Sequence, residues 1–314
     1  MDRRVGEPFV TGEHARSARA FAPAHVTGIF RPAETGRDPR ARGSLGAGIV
    51  LDAGVHATAT FQPASRRSVR GRADVRRPLP ISEEVARRLF PAGNGTVTVR
   101  LRHELPIGQG FGLSAAGATA TALAVARLFG VPRSAAVETA HLADLFGGGG
   151  LGGVASIVGG GGLEFRSRAG IPPWGVVRHS PLAGSVFVGL VGGPIPSPSV
   201  LRSPAALARI VRASDGLEAL LARPTVDRFF AASERFTDRA GLSTPALRAV
   251  LRSLRGRGAR AGQAMFGRSF FARPGGPTSR AAVIEWLRAA RVPTIELRAA
   301  HRGAGSERSP NGVG

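Results

Sequence analysis

The chain has 314 residues, of which 43% are hydrophobic, and a formal net charge of +22 at pH 7. This length and hydrophobic content exclude a disordered chain and allow one large or two medium domains with a buried core. The chain contains no cysteine, which excludes disulfides, cysteine-ligated metal sites and a thiol nucleophile. No apolar run reaches the roughly 18 residues that span a bilayer, so we expect a cytoplasmic protein with no membrane partner.

The positive charge comes entirely from arginine, because the sequence contains no lysine. A basic surface of this kind is typical of a nucleic-acid binder. A compositional bias toward arginine, combined with an anionic ligand, gives the same charge. The arginines are spread along the chain between apolar segments, and an aromatic content of 6% without tyrosine offers few platforms for base stacking. We therefore favour the second interpretation and do not expect a nucleic-acid partner.

The first third of the chain is rich in strand patterns. Residues 1–18 combine arginine with acidic residues and lack the apolar core of a targeting segment, so they predict a disordered extension. Residues 19–26 predict a short strand, and two β-rich runs predict a hairpin over residues 46–61. A helix is expected over residues 81–90, and alternation of apolar and polar residues predicts a strand over residues 95–105.

A glycine-rich segment, residues 106–117, separates this strand from an apolar, alanine-rich run that ends at Phe129. The pattern predicts a strand, a loop and a buried helix. Residues 134–146 predict a second helix with Ser134 as its N-cap. A further glycine-rich loop is expected over residues 147–162, followed by a short strand.

The composition changes near residue 175, where we place a boundary between two domains. Helical patterns framed by apolar strand patterns follow, and the order of the elements predicts an α+β protein. Residues 262–272 mix helix and turn signals, and the polar residues 301–314 predict a disordered tail. Strands are expected over residues 185–191 and 294–298, and helices over residues 205–213, 216–222, 226–240, 245–254 and 281–290.

Three glycines, Gly108, Gly110 and Gly112, alternate with other residues directly before the first buried helix. Glycine permits a positive φ and a close approach of the backbone, so successive N–H groups in such a loop can surround an anion. The helix N-terminus adds partial positive charge, and Ser114 in its first turn can reach a phosphate or Mg²⁺. A glycine-rich turn that only packs a helix would have the same spacing. The absence of a lysine after the last glycine excludes a Walker A motif, and no acidic residue ends a second strand as in a dinucleotide-binding fold.

The sequence PIGQGFGLSAAGA, residues 106–118, resembles the phosphate-binding motif of the GHMP kinases. Six further segments resemble, in the same order, signatures of the archaeal pantoate kinases within that superfamily, and the resemblance covers residues 20–298. It implies a two-domain GHMP kinase-like fold, with an N-terminal ribosomal-protein-S5-like domain over residues 19–175 and a C-terminal ferredoxin-like α+β domain over residues 176–300. The segments are PAHVTGIF from residue 23, GSLGAGIVL from 43, AHLAD from 140, GLGGV from 150, GIPPWG from 170 and GQAMFGRSFFA from 262.

The resemblance also implies an activity, namely ATP-dependent phosphorylation of the 4-hydroxyl group of pantoate on an archaeal route to coenzyme A. Ser114 and Asp144 would be catalytic and would hold Mg²⁺. Asp144 replaces a glutamate of the family and is one methylene shorter, and it could instead lie on a solvated helix face. The resemblance also allows a homodimer. The residues implied in ATP binding are Pro106, Gly108, Gly110, Phe111, Gly112, Leu113, Ser114 and Ala115.

Four residues would bind the small organic acid: Ser44, His141, Arg166 and Ser197. Arg166 offers a planar two-point fork to a carboxylate. His141 shares a helix face with the aspartate three residues later. Each has a plainer interpretation, a packed helical histidine for His141 and a surface strand residue for Arg166, and Ser199 is an alternative to Ser197.

One departure from the family pattern concerns catalysis. The family sequence GLGDV carries an aspartate thought to orient or deprotonate the attacking hydroxyl, and Gly153 stands at that position here. Losing a general base typically costs about 10²- to 10⁴-fold in rate. Three interpretations are open: a slower kinase, a kinase whose base is supplied elsewhere, and an impaired nucleotide binder. A GHMP kinase for another small alcohol is a further alternative.

Overall fold

The computed structural model of the protein describes residues 15–33, 37–75 and 78–307. The predicted α+β class is confirmed, because helices pack against two separate β-sheets. Within the described residues, no helix combines the length and the apolar character needed to cross a bilayer. The strands are β1 (Arg16–Ala33), β2 (Gly43–Gln62), β3 (Arg67–Ala73), β4 (Gly95–His103), β5 (Gly162–Arg168), β6 (Val176–Ser180), β7 (Ser185–Leu190), β8 (Ala259–Gln263), β9 (Ser269–Pro274), β10 (Thr294–Arg298) and β11 (Gly305–Glu307). The helices are α1 (Pro80–Leu89), α2 (Leu113–Phe129), α3 (Arg133–Phe146), α4 (Gly153–Val158), α5 (Ser197–Leu201), α6 (Pro204–Ala213), α7 (Leu217–Ala222), α8 (Val226–Arg239), α9 (Pro245–Gly256) and α10 (Pro277–Ala289), with a 3-10 turn over Pro39–Ala41.

The first sheet has the strand order β11-β1-β2-β4-β3, with β5 paired to β2 and β6 paired to β5. The hairpin predicted over residues 46–61 is wrong, because this segment lies within the single 20-residue strand β2. The irregularity that suggested a turn is a β-bulge, where the register between β1 and β2 shifts near His25. The extra residues of β2 contact the end of the chain, since Asp52 Oδ1 accepts a hydrogen bond of 3.0 Å from Arg298 N.

Helix α2 packs on the inner face of this sheet, and all but two of its 17 residues are buried. Its many alanines allow a close approach to β1 and β2, while α3 and α4 pack against its other sides. Helix α3 has Pro132 as its N-cap, so the prediction of Ser134 in that role is wrong. The fixed φ of proline turns the chain into the helix two residues earlier than the serine. The result is a rigid support for the loop that precedes α2.

The second sheet is antiparallel, with the order β10-β7-β9-β8. The mixture of helix and turn signals over residues 262–272 was misleading, because this segment belongs to the antiparallel pair β8 and β9. Helices α9 and α10 pack on the sheet around buried Phe270 and Leu287. Helix α8 contacts both β1 and β8, and its Phe236 packs edge-on against Phe30 with ring centroids 5.7 Å apart. The first half of the chain, which ends with β6, and the second half, which begins with β7, therefore share a packed aromatic contact.

The structure moves three of the predicted boundaries. Strand β6 pairs with β5, so the first sheet continues past residue 175. Strand β1 begins at Arg16, within the extension predicted over residues 1–18, because its first residues already pair with β2. Strand β11 lies within the tail predicted from residue 301 and pairs with β1, which returns the chain to the first sheet. The rest of both predicted disordered segments, residues 1–14 and 308–314, lies outside the described residues.

Candidate active site

A cavity of about 610 Å³ lies where the first sheet, helix α2 and the second half of the chain meet. The glycine-rich segments on either side of α2 and α3 form much of its wall, together with residues 194–198 and 265–266 of the second half. Pro106 and His141 do not line it. The residues predicted from the sequence that do line it are Ser44, Gly108, Gly110, Phe111, Gly112, Leu113, Ser114, Ala115, Asp144, Arg166 and Ser197.

The phosphate loop (residues 106–112) enters helix α2 with an alternation of left-handed glycines. The φ angles are 79° at Gly108, 77° at Gly110 and 64° at Gly112, values that an L side chain rarely adopts. Gly112 is also the N-cap of α2, and no side chain satisfies the first-turn N–H groups there. These groups and the helix dipole therefore face the cavity as a binding surface for an anion.

The second half of the chain holds the phosphate loop in place. Gly108 O accepts a hydrogen bond of 3.0 Å from Ile195 N, and Gln109 Nε2 donates to Gly192 O at 2.9 Å. A β-carbon on Gly110 would lie only 2.5 Å from Ala264 O. The loop is therefore pressed between two segments that lie far away in the sequence. Sequence reasoning did not foresee these contacts, although the motif at residues 262–272 marked one of the segments.

Ser114 and Asp144 form a polar pair beside the phosphate loop. Ser114 Oγ donates a hydrogen bond of 2.6 Å to Asp144 Oδ1. Burial raises the pKa of Asp144 to about 6, and the hydrogen bond from Ser114 opposes that rise only in part. A buried carboxylate that lacks a cationic neighbour, next to a hydroxyl, is a suitable donor set for Mg²⁺. The described residues contain no cluster of three or more His, Cys, Asp and Glu side chains, as expected where Mg²⁺ takes few protein ligands and is otherwise held by substrate phosphates.

Gly149 lies directly over this pair. A β-carbon at this position would be 2.0 Å from Asp144 Oδ1 and 2.1 Å from Ser114 Oγ, distances that atoms cannot occupy without displacement. The backbone is fixed there, because Gly149 N donates a hydrogen bond of 2.9 Å to Asp144 O. The glycine-rich segment predicted as a loop over residues 147–162 therefore covers the carboxylate–hydroxyl pair closely, and its second part forms helix α4.

The acid pocket (Ser44, Gly152 and Arg166) lies on the face of the first sheet. Arg166 Nη1 donates to Ser156 Oγ at 2.6 Å and also to Glu164 Oε1, whereas its buried Nε has no partner among the described residues. A β-carbon on Gly152 would lie 2.7 Å from Ser44 Oγ and 2.8 Å from Arg166 Nε, so only a glycine fits against these two polar groups. A buried N–H group without a partner is costly, which points to an acceptor supplied by a ligand.

Sequence reasoning missed His25, which also lines the cavity. Its Nε2 lies 2.8 Å from Glu164 Oε1. Burial lowers the pKa of His25 below its usual value, although the hydrogen bond and the charge of Glu164 oppose the change. The histidine belongs to the segment PAHVTGIF, so the signal was present, but we used the segment for recognition only.

The remaining predicted substrate residues have different positions. Ser197 begins helix α5 and lines the cavity. Ser199 does not line the cavity, and the Oγ of Ser199 donates a hydrogen bond of 2.7 Å to Pro196 O. His141 is buried outside the cavity wall; burial lowers its pKa, opposed by hydrogen bonds to the backbone of Pro39 and Arg42. Its buried Nε2 has no hydrogen-bond partner among the described residues, and a contact between His141 and substrate stays a prediction.

Comparisons with known proteins agree with this geometry. Residues 81–161 match the family described as the GHMP kinases N terminal domain. The pantoate kinase of Thermococcus kodakarensis is 31% identical to this chain over 242 residues, which make up 75% of this chain and 80% of that protein. The chain belongs to the pantoate kinase family. The protein is thus a small-molecule kinase, as predicted.

Two further relatives support membership of the pantoate kinase family. The pantoate kinase of Methanospirillum hungatei JF-1 is 29% identical over 237 residues, 74% of this chain and 78% of that protein. A solved structure described as a phosphotransferase related to the CoA biosynthesis pathway has a TM-score of 0.82 and 27% identity, and the match covers 94% of this chain and 100% of that one. The predicted GHMP kinase fold is confirmed.

This member departs from the pantoate kinase pattern at Gly153, where an aspartate is expected. Gly153 is the first residue of helix α4. A β-carbon there would lie 2.6 Å from the β-carbon of Ala115 in α2. Helices α4 and α2 therefore lie too close together for a side chain at position 153 to fit without a shift.

Proposed function

We propose that the protein transfers the γ-phosphate of ATP to the 4-hydroxyl group of pantoate. The observation that carries the proposal is the presence, in one cavity, of an arginine with an unpaired buried N–H group, a carboxylate–hydroxyl pair and a glycine-rich phosphate loop. This set provides a site for an organic acid next to a site for a nucleoside triphosphate. The names of the curated relatives supply the identity of the acid.

The phosphates of ATP fit the phosphate loop and the first turn of helix α2. Phosphoryl transfer depends mainly on the positioning of the reactants and on neutralisation of charge, both of which fixed N–H groups provide. Ser114 and Asp144 would hold Mg²⁺, which neutralises phosphate charge when it is bound. Asp144 suits that role, because a cation would replace the proton that burial favours on its carboxyl group.

The carboxylate of pantoate fits the acid pocket. The buried Nε of Arg166 would donate to it, since this N–H group has no partner among the described residues. The hydroxyl groups of Ser44 and Ser197, both on the cavity wall, would bind the rest of the small hydroxy acid. The nearest groups to the transferred phosphate are then the phosphate loop on one side and the hydroxy acid on the other.

An assay of ADP release tests the proposal. Purified protein with ATP and Mg²⁺ should form ADP and phosphopantoate in equal amounts, and pantoate should give a higher kcat/KM than homoserine or mevalonate. Absence of turnover with pantoate at every concentration, while the protein still binds ATP, would contradict the proposal. A higher kcat/KM for another alcohol would assign the same chemistry to a different substrate. A cytoplasmic location, a homodimer and the absence of a nucleic-acid partner stay predictions from the sequence.

A further inference from the structure

The site leaves one chemical question open, namely which group accepts the proton of the attacking hydroxyl. Gly153 cannot, since it has no side chain. Four titratable side chains line the cavity within the described part of the chain: His25, His103, Asp144 and Arg166. Arg166 is a cation, Asp144 is the expected metal ligand, and His103 pairs with Asp74 at the end of β4, whereas His25 shares Glu164 Oε1 with Arg166 of the acid pocket.

We propose that His25 is the general base of the phosphoryl transfer, with Nδ1 as the atom that accepts the proton. The inference rests on the proposed function, because it assigns a role in that same reaction. It places the base on strand β1 of the first sheet rather than on helix α4, where the family aspartate would be.

The geometry brings His25 and Arg166 to the same point. Both His25 Nε2 and Arg166 Nη1 bind Glu164 Oε1, the former at 2.8 Å. The imidazole and the guanidinium are therefore neighbours around one carboxylate oxygen. The proposal therefore places the hydroxyl group of an acid bound by Arg166 next to this imidazole.

Two glycines of strand β2 make room for this arrangement. A β-carbon on Gly48 would lie 2.3 Å from His25 Nε2, and a β-carbon on Gly46 would lie 2.4 Å from Arg166 Nη2. A side chain at Gly48 would displace the His25 imidazole, and one at Gly46 would displace the Arg166 guanidinium. The backbone of His25 is also bound to the phosphate loop, since His25 N donates a hydrogen bond of 3.1 Å to Phe111 O. The imidazole thus belongs to the same rigid unit as the phosphate site.

Glu164 determines the state of the imidazole. Burial raises the pKa of Glu164, but the charge of Arg166 and the hydrogen bond with His25 outweigh burial and lower the pKa below its usual value. The carboxylate is therefore ionised and accepts a hydrogen bond from His25 Nε2–H. This tautomer leaves the lone pair on Nδ1. Burial, Arg166 and His179 lower the pKa of His25 while Glu164 raises it, so the ring is neutral near pH 7 and can act as a base.

The step balances without another reactant. The hydroxyl O–H bond breaks and its proton moves to His25 Nδ1, while the oxygen forms a bond to the γ-phosphorus of ATP. The bond between that phosphorus and the bridging oxygen breaks, and its electron pair leaves on ADP. The resulting imidazolium is stabilised by the ionised Glu164, as a buried carboxylate stabilises the imidazolium in a catalytic triad.

Two substitutions separate catalysis from structure. In His25→Gln the amide can still donate to Glu164 from about the position of Nε2, but no base remains. In His25→Asn the shorter side chain loses contact with Glu164. A catalytic base predicts that His25→Gln lowers kcat by about 10²- to 10⁴-fold, with KM values for ATP and pantoate within about twofold of wild type. A purely structural role predicts that His25→Gln is active and only His25→Asn is impaired, which would overturn the proposal.

His301→Gln is the matched control. His301 is an exposed histidine that does not line the cavity. Its substitution should leave kcat within about twofold of wild type. Equal thermal melting and equal binding of a non-hydrolysable ATP analogue show that each variant is folded.

The pH profile of the wild-type enzyme provides a test that needs no variant. At saturating Mg²⁺, kcat should fall on the acidic side of the profile, below the ordinary imidazole range, because burial lowers the pKa of His25 and a protonated imidazole cannot accept a proton. This limb should be absent from the residual rate of His25→Gln. A wild-type acidic limb that persists unchanged in the residual rate of His25→Gln would reject the base. If wild-type protein fails to phosphorylate pantoate at all, the proposed function fails, which is a different result from an active wild type with an equally active His25→Gln.

Discussion

The phosphate loop and the acid pocket serve two ends of one reaction, but they arise from the sequence in different ways. The loop is one continuous segment whose conformation follows from alternating glycines and a helix N-terminus. The acid pocket takes Ser44 from β2, Arg166 from β5 and Gly152 from the segment before α4. Local chemistry favours the backbone conformation of the first region, which distant segments then hold in place, whereas the second region exists only after the sheet has formed. Changes in the two regions should therefore affect different measured quantities.

The largest expected effect comes from Gly149→Ala, which acts where the two regions meet. The added β-carbon would displace Asp144 or Ser114, so we expect kcat/KM to fall by about 10²-fold or more. Binding of Mg²⁺, measured by titration calorimetry with an ATP analogue present, should weaken in parallel. Gly193→Ala is the matched control, because a β-carbon there meets no atom within 4 Å, and it should behave as wild type. An active Gly149→Ala would show that the pair does not hold the metal.

The second prediction concerns the stability of the apo protein, which Asp144→Asn should raise. The folded pKa of about 6 lies above the ordinary value of 3.8, so the folded state binds the proton more tightly than the unfolded state. This contribution is present at acidic pH and is lost as the pH rises from about 4 through about 6. At higher pH the ionised carboxylate therefore costs up to about 3 kcal/mol, which an asparagine avoids.

Thermal or urea unfolding without Mg²⁺ measures this difference. The stabilisation by Asp144→Asn should appear at pH 8 and vanish near pH 4, where the wild-type carboxyl group is protonated in both states. Mg²⁺ with an ATP analogue should stabilise the wild type but not the variant at pH 8. A variant that is no more stable than wild type at pH 8 would mean that the carboxylate is better solvated than its burial indicates.

Arg166→Lys tests the acid pocket alone. Lysine retains the charge but loses the planar fork and the bond to Ser156, so binding of the organic acid should weaken while the phosphate loop is unaffected. We expect KM for pantoate to rise by about 10- to 100-fold, with KM for ATP unchanged. Arg178→Lys, an exposed arginine on the neighbouring strand β6, serves as the control. Equal increases in both KM values would show that the two regions are not independent.

The same contrast explains what the sequence could predict. The phosphate loop, helix α2 and most helices of the second half follow from glycine spacing and apolar periodicity, which act over a few residues. The β-bulge in β2 was mistaken for a hairpin, since its strand partners and its contact with Arg298, 246 residues away from Asp52, are not local. His141 lies outside the cavity wall, because helical spacing gives the face of a side chain but not the element packed on it. The pairing of His25 with Glu164 spans 139 residues, and no local pattern encodes it.

The smallest expected effect, and the one that bears most directly on the missing aspartate, comes from Gly153→Asp. In a site where an aspartate at this position had simply been lost, its return would raise the rate. Here the β-carbon would lie 2.6 Å from that of Ala115, so helix α4 must shift, and we expect a loss of about 1–3 kcal/mol in the free energy of unfolding with no gain in kcat. Adding Ala115→Gly removes the clash and should recover part of the stability, which a double-mutant cycle in urea unfolding measures. A single Gly153→Asp variant with higher kcat and unchanged stability would contradict two claims. It would show that α4 and α2 can accommodate the side chain, and that an aspartate at this position improves on His25 as the base.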